Sequence, residues 1–385
     1  MKQPPAQAGA ASKKLPFNFL SSTVASLMAH TKLFIPGPIE VSEKTLKAFA
    51  SPMMGHRGKG FQDLYAQVQP GLQKLFYTTQ PVFVSTSSAW GVMEGSIRNL
   101  VSKKVLNCMS GAFSDKWYDV ALKCGKQAEK LQVEWGQAIT AAMIEAKIKT
   151  GEFDAVTLIH NETSTGTMNP LAEIAAMMKR YPEVHFIVDT VSSFTAVPIK
   201  FDELGIDVML AGTQKALALP AGAAVFAVSE KAFKKAESLK DRGYYFDFLE
   251  FRKNHESNMT PTTPSISHFY ALRSKIEDIM EEGMENRFAR HLKNAEITRA
   301  WVKQNGFELF SEEGYASVSL TCVKNTKGVD VVKMIAALKS KYNCIIDGGY
   351  GKIKGTTFRI SHMGDESTAN IELLLSWLDD SLKSI

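Results

Sequence analysis

The feature that most constrains the fold of this chain is a regular alternation of short apolar runs with stretches of helical spacing. The apolar runs have the length of buried strands and lie at residues 82–84, 105–109, 131–135, 155–160, 185–189, 208–212 and 220–228. Helical spacing is seen at residues 89–100, from residue 114 onwards and at 138–149. Strands that alternate with helices of about ten residues are typical of parallel sheets. The sequence therefore predicts an α/β fold with a mostly parallel sheet.

The length of the chain indicates more than one domain. A chain of 385 residues is too long for one small core. We predict a flexible N-terminal arm at residues 1–32, a large domain at 33–270 and a smaller C-terminal α+β domain at 271–385. A long helical stretch from Ile266 to Gln304 is expected to link the two domains. A targeting signal in the arm is the weaker interpretation, because polar residues interrupt its apolar part.

The composition is that of an ordinary globular protein, with 45% apolar and 22% charged residues. The net charge of +5 is mild and the chain has no dense basic block with interleaved aromatic residues, which argues against nucleic-acid binding. No apolar run approaches the roughly 20 residues that span a bilayer, so we expect no membrane segment. The four cysteines form no CxxC pair and no histidine cluster accompanies them. We therefore expect no bound metal and a reducing, cytoplasmic location.

The first candidate catalytic residue is Lys215, in a tight turn between two apolar runs. The run 208–212 precedes the turn and the run 220–228 follows it. Apolar surroundings disfavour a solvated ammonium and lower the pKa of the amine, which makes it nucleophilic. A Schiff-base lysine requires this property. The alternative is a turn lysine whose tip lies in water, and this stretch alone favours that alternative.

A second candidate, Asp189, ends the apolar run 185–188 and lies 26 residues before Lys215, a gap that suits one crossover between strands. Ligands of open α/β sheets bind at the carboxyl ends of the strands. Pyridoxal phosphate (PLP) needs this pair of residues, because a lysine forms the Schiff base and an acid keeps the pyridine nitrogen protonated. The alternative for Asp189 is a helix cap or a turn residue.

Five stretches occur in an order that resembles the class V aminotransferases of the alanine–glyoxylate and serine–pyruvate group. They are residues 34–38, 160–166, 188–193, 211–217 and 358–361, and the resemblance covers the chain from about Leu33 to the C-terminus. The resemblance implies the PLP-dependent transferase fold type I, with a large, mostly parallel α/β domain and a smaller C-terminal α+β domain. It also implies a homodimer with shared active sites.

The resemblance assigns roles around the cofactor. Ser88, Ala89 and Trp90 would bind the phosphate at a turn that opens a helix, although ordinary capping by Ser87 or Ser88 is the alternative. This turn departs from the family, in which it is usually rich in glycine. The remaining cofactor-binding residues implied by the resemblance are Phe113 and Val191 on the two ring faces, Thr163 at the phenolic oxygen, Asp189 at the ring nitrogen, Gln214 at the phosphate and Lys215 as the covalent anchor.

One phosphate contact is expected to come from the partner subunit of the homodimer. Alignment on the following helix favours Thr263 for this contact, whereas alignment on the proline favours Thr262. The loop that carries His56 and Arg57 lies near the mouth of the site in the family, and the roles of these two residues stay open.

The resemblance also names substrate-binding residues. Gly37 would let the backbone approach the substrate carboxylate, and Arg359 would clamp the α-carboxylate, because a guanidinium matches a carboxylate bidentately. The alternative for Arg359 is an internal salt bridge. No second cation is evident for a side-chain carboxylate, although Arg57 and Arg242 remain candidates.

The implied reaction is transamination between a small amino acid, alanine or serine, and a 2-oxo acid, glyoxylate or pyruvate. The alternatives are another class V PLP enzyme, such as a phosphonate-amine transaminase, a desulfurase or a lyase, and a silent binding protein that keeps the fold. Desulfurases of this class usually carry histidine where this chain has Phe113, and Cys322 and Cys344 both lie in predicted strands. Both features argue against a desulfurase.

Overall fold

The computed structural model describes residues 30–384. The strands, numbered in chain order, are β1 (Lys32–Leu33), β2 (Val82–Ser85), β3 (Lys104–Met109), β4 (Gln127–Gln132), β5 (Ala155–Ile159), β6 (Asn161–Glu162), β7 (Thr167–Met168), β8 (His185–Asp189), β9 (Val208–Gly212), β10 (Ala224–Val228), β11 (Glu308–Leu309), β12 (Leu320–Lys324), β13 (Cys344–Ile345) and β14 (Thr357–Ser361). The helices are α1 (Glu43–Phe49), α2 (Lys59–Phe76), α3 (Ala89–Leu100), α4 (Ala112–Lys123), α5 (Ala141–Ile148), α6 (Leu171–Met178), α7 (Phe201–Leu204), α8 (Glu230–Glu237), α9 (Phe248–His255), α10 (Ile266–Glu282), α11 (Met284–Gln304), α12 (Val331–Tyr342) and α13 (Thr368–Lys383).

The centre of the fold is a seven-stranded sheet in the order β2-β10-β9-β8-β5-β3-β4. Strands β3, β4, β5, β8 and β9 pair in parallel, whereas β10 is antiparallel to both of its neighbours. The predicted α/β fold with a mostly parallel sheet is therefore confirmed. The strand predicted at residues 131–135 lies earlier, as β4, because this edge strand is only partly buried and lacks a continuous apolar run.

Both faces of the sheet are covered, which explains why its central strands are apolar throughout. In β8, Phe186 and Val188 pack into a core formed with α2, α5, α6 and α10. The intervening Ile187 packs into a second core formed with α3, α4, α8 and α9. This alternation follows from the two-residue period of a strand. It leaves Asp189, the last residue of β8, at the carboxyl edge of the sheet.

A smaller antiparallel sheet, β11-β12-β14, packs with α11, α12 and α13 around a third core. Phe34 belongs to this core, and β1 pairs in parallel with β13. Of the predicted N-terminal arm, residues 1–29 lie outside the described residues, whereas Lys32 is already part of β1. In the described part of the chain, no helix is both long and apolar enough to cross a membrane.

The single helical stretch predicted from Ile266 to Gln304 is wrong, because α10 and α11 are separate helices. The break falls at Gly283, which has a φ of 82°, a backbone conformation that glycine adopts without strain. The predicted domain boundary at residues 270 and 271 lies inside α10. Ile276 and Ile279, beyond that boundary, still pack into the core of the large sheet.

We predict that Gly71→Ala destabilises the fold by about 1–3 kcal/mol, because a well-packed core does not accept an added methyl group without strain. Gly71 lies where α2 packs against α10, and a Cβ at this position would lie 2.2 Å from Cγ2 of Ile276. Gly60, in the same helix, is the matched control, because its Cβ would meet nothing closer than 3.6 Å. Urea unfolding should show Gly60→Ala unchanged or slightly more stable. Equal stability of the two variants would contradict this account of the α2–α10 contact.

Candidate active site

A cavity opens at the carboxyl edge of the large sheet, beside the first turns of α3 and α4. It is lined by nine of the residues predicted to bind the cofactor, namely Ser88, Ala89, Trp90, Phe113, Thr163, Asp189, Val191, Gln214 and Lys215. Met93, Ile159, Asn161 and Ser192 also line it, and the sequence analysis missed them. Asn161 and Ser192 lie within the stretches 160–166 and 188–193, which could have identified them, whereas no sequence pattern singles out Met93 and Ile159.

Lys215 lies in the turn between β9 and β10 and is partly buried. Its amine donates a hydrogen bond to the carbonyl oxygen of Pro36. Burial, and after it the positive charge of Arg359, lower the pKa of Lys215 from its ordinary 10.5 to about 7. An amine with this pKa is largely available as a base or nucleophile near neutral pH. The alternative interpretation, a turn lysine whose amine lies in water, is therefore wrong, because the amine is buried.

Gly37 lies against the aliphatic part of the Lys215 side chain. A Cβ at Gly37 would lie 2.7 Å from Cδ of Lys215, and the φ of Gly37 is +136°. Only glycine allows this approach, because any side chain would meet the lysine and strain the backbone. The structure thus gives Gly37 a role in enclosing the lysine that the sequence analysis did not foresee.

Asp189 faces the same cavity and is 6% exposed. Its Oδ1 accepts a hydrogen bond of 2.7 Å from the amide of Val191. Burial raises the pKa of Asp189 to about 7, although the Val191 amide opposes the rise. A cation placed next to a buried carboxyl group restores its ionised form. Asp189 is therefore suited to pair with a positively charged group inside the cavity.

The first turn of α3 forms another wall of the cavity. Ser88 is the N-cap residue of this helix, but its side chain makes no capping hydrogen bond. The hydroxyl of Ser87 contacts the hydroxyl of Ser85 at 2.9 Å and donates to the carbonyl of Ser88. Helix N-termini leave backbone N–H groups without intrahelical partners, and these groups bind anions. This end of the cavity is suited to an anionic group such as a phosphate.

The turn that carries Phe113 is held by Glu162, a fully buried carboxylate that the sequence analysis did not single out. Glu162 accepts hydrogen bonds of 3.0 Å from the amide and the hydroxyl of Ser114, and one of 2.6 Å from the hydroxyl of Ser164. Phe113 lies with its ring centroid 5.9 Å from the Lys215 amine. The position of Glu162 in the motif 160–166 is a sequence signal that could have identified this residue. Thr163 and Ser192, which both line the cavity, share a hydrogen bond between their hydroxyl groups.

Arg359, in β14, is 4% exposed and makes the internal salt bridge that the sequence analysis named as an alternative. Its Nε and Nη2 both lie 2.8 Å from Oδ1 of Asp347. Its Nη1 donates to the carbonyl of Thr163 at 2.8 Å. A guanidinium has five N–H donors, so these three contacts do not exhaust it. Asp347 was not among the site residues predicted from the sequence.

The loop between α9 and α10 carries Thr262 and Thr263, and Thr263 is exposed. The amide of Ser265 in this loop donates to the hydroxyl of Thr86 at 2.9 Å, so the loop packs beside the turn that precedes α3. The residues that line the cavity do not include Thr262 or Thr263. A contact of either threonine with the partner subunit therefore remains a prediction.

Two arginines that were candidates for a second substrate cation lie outside the cavity lining. Arg242 binds Asp247, with its Nε 3.0 Å from both carboxylate oxygens. Arg57 is exposed, and its Nε donates to Nε2 of His56 at 3.4 Å. Within residues 30–384, no group of three or more His, Cys, Asp or Glu residues is arranged to hold a metal ion.

Comparison with known proteins places this geometry in a family. The model of the family "Aminotransferase class-V" matches residues 47–359. An uncharacterised aminotransferase of Methanocaldococcus jannaschii is 37% identical over 92% of this chain and 93% of its own length. The serine–glyoxylate aminotransferase of Methylorubrum extorquens is 32% identical over 86% of each chain.

Solved structures agree with the sequence comparison. The alanine–glyoxylate aminotransferase from Nostoc sp. superposes with a TM-score of 0.87 at 27% identity, over 92% of this chain and 96% of its own. The family model covers most of the chain and includes every residue of the cavity described above. The chain therefore belongs to the class V aminotransferase family.

Proposed function

We propose that this aminotransferase uses PLP to transfer the amino group of alanine or serine to glyoxylate or pyruvate. The observation that carries the proposal is the pair formed by Lys215 and Asp189, which face one cavity from the ends of adjacent strands. The names of the relatives support glyoxylate as the acceptor, because they include serine–glyoxylate and alanine–glyoxylate aminotransferases.

The donor set of the cavity fits PLP. The first turn of α3 offers uncapped amides for a phosphate, with Ser88 and Gln214 beside it. Asp189, whose carboxyl group lacks a cationic partner among the described contacts, fits a protonated pyridine nitrogen. Phe113 and Val191 would enclose the ring, and Thr163 would bind its phenolic oxygen. When bound, PLP supplies an electron sink that allows the Cα–H bond of an amino acid to break.

The residues of the chain supply binding and proton transfer. Arg359 would orient the α-carboxylate of the substrate through the N–H groups that Asp347 and Thr163 leave free. Lys215 would hold the cofactor covalently and, once released, take a proton from Cα of the substrate. A pKa of about 7 suits this role, because a general base works best when its pKa lies near the working pH.

The same geometry argues against a desulfurase. A desulfurase needs a reactive cysteine, and the thiolate is the reactive form. All four cysteines are buried and free of disulfides. Burial raises the pKa of Cys322 to about 12 and that of Cys344 to about 11. Free buried thiols also support the proposed cytoplasmic location, where cysteines stay reduced.

We further propose that the protein acts as a homodimer. The loop with Thr262 and Thr263 lies next to the turn before α3, and Thr263 is exposed beside it. Met53 is 65% exposed on the loop that also carries His56 and Arg57. A partner subunit that covered this loop would bury the exposed methionine and bring Thr263 to the phosphate end of a neighbouring cavity.

The proposed reaction predicts that the purified protein, supplied with PLP, converts alanine or serine and glyoxylate into glycine and the matching 2-oxo acid. Lys215→Ala should lower the rate by at least about a thousandfold, because it removes both the covalent anchor and the base. Coupled assays with each donor and acceptor measure the rates. A Lys215→Ala variant with the activity of the wild type would contradict the proposal.

Asp189→Asn is predicted to stabilise the cofactor-free protein at pH 8 and to lower the kcat of the PLP-loaded enzyme. The folded-state pKa of about 7 lies above the value near 3.9 of an unfolded chain, so the stability that Asp189 contributes is complete below about pH 4 and is lost as the pH rises towards 7. The asparagine stays neutral and avoids this loss, which is on the order of 1–4 kcal/mol.

The holoenzyme of this variant should lose about 100-fold in kcat, because the ring nitrogen loses its charged partner. Thermal unfolding of the cofactor-free wild type and variant at pH 4 and pH 8 measures the first effect. If the difference in stability between Asp189→Asn and the wild type is the same at pH 4 and at pH 8, the environment assigned to Asp189 is wrong.

A further inference from the structure

Asp347 is held beside the substrate-binding arginine by two independent sets of contacts. Its Oδ1 lies 2.8 Å from Nε and Nη2 of Arg359 and accepts the amide of Gly349 at 2.8 Å. The backbones of Asp347 and Arg359 also pair, with hydrogen bonds of 2.7 and 3.2 Å in the two directions. The carboxylate therefore has a defined place next to the guanidinium, and its side chain remains 29% exposed.

Three carboxylates and one guanidinium are the main charged groups that act on the Lys215 amine. They are Asp189, Asp347, Glu162 and Arg359. Glu162 is fully buried and saturated by hydroxyl and amide donors. Asp189 faces the position proposed for the ring nitrogen. Asp347 is the one of these three carboxylates that lies beside the proposed α-carboxylate site.

We propose that Asp347 excludes amino donors with acidic side chains, so that the donors of this enzyme are small neutral amino acids. The inference rests on the proposed function, because it assumes that Arg359 binds the α-carboxylate of an amino acid whose Cα lies at Lys215.

The physical reason is repulsion between like charges. The α-carboxylate of any donor takes the free N–H groups of a guanidinium that Asp347 already pairs with. A second carboxylate, one methylene away from Cα, would be repelled by the charge of Asp347 in this partly buried site. Neither of the other two arginine candidates is placed to supply a second cation, because Arg242 is bound to Asp247 and Arg57 is exposed to solvent. Alanine and serine carry no such second charge.

Aspartate and asparagine are the matched pair of substrates that tests this proposal, because they have nearly the same shape and differ in charge. The PLP-loaded enzyme should use asparagine with a kcat/KM at least tenfold above that for aspartate, with glyoxylate as acceptor. Asp347→Asn should narrow this ratio by about tenfold or more, because it removes the repelling charge and keeps a hydrogen-bond acceptor for Arg359. Asp330→Asn, at the exposed N-cap of α12, is the control and should leave the ratio unchanged.

The same discrimination can be read without turnover. The affinities of 2-methylaspartate and 2-methylalanine, which have no Cα proton to lose, are measured by the change in visible absorption of the enzyme. Asp347→Asn should improve the relative affinity for 2-methylaspartate by about tenfold.

Two results would overturn the proposal. In the first, Asp347→Asn lowers the rates with all donors by the same factor, which would make Asp347 only a positioning residue for Arg359. In the second, the wild type prefers aspartate and loses this preference in Arg57→Ala, which would show that a second cation serves the site. Failure of the proposed function gives a different result, namely a wild type that transaminates neither alanine nor serine.

Discussion

The site depends on the removal of one amine from water. Lys215 follows a fully buried strand, β9, and its side chain lies under Gly37, where a Cβ would meet it at 2.7 Å. The carbonyl of Pro36 is the hydrogen-bond acceptor of this amine. Because one carbonyl does not replace the solvation of an ammonium ion, the pKa falls to about 7 and the amine becomes reactive. The glycine and the lysine come from positions almost 180 residues apart, and a hydrogen bond of 3.2 Å from the amide of Ile39 to the carbonyl of Gln214 joins their two segments.

Burial shifts the pKa values of Lys215 and Asp189 in opposite directions. Burial pushes the amine towards its neutral form and the carboxyl group towards its protonated form, so near neutral pH both groups carry less charge than they would in water. This arrangement is unfavourable for charged groups until a ligand supplies a cation for Asp189 and an electrophile for Lys215. Strand β8, which ends at Asp189, and strand β9, which precedes Lys215, pack into the two cores on the faces of the large sheet. These cores therefore fix the backbone positions from which both side chains reach the cavity.

The sequence predicted the elements better than their contacts. The alternation of apolar runs correctly indicated a mostly parallel sheet, because buried parallel strands are apolar throughout. The edge strand β4 was misplaced, since its residues are only partly buried. The break at Gly283 was missed, because apolar residues continue at helical spacing on both sides of it. The carboxylates Glu162 and Asp347 were missed as site residues because their importance depends on contacts with Ser114 and Arg359, which local patterns do not reveal.

In the proposed enzyme a single amine, that of Lys215, forms the covalent bond to the cofactor. Borohydride reduction of the PLP-supplied protein, followed by proteolysis and mass spectrometry, would locate this bond. We expect one reduced pyridoxyl adduct per chain, on the peptide that contains Lys215 and on that residue. An adduct on another lysine, or a protein that binds PLP without any adduct, would contradict this proposal.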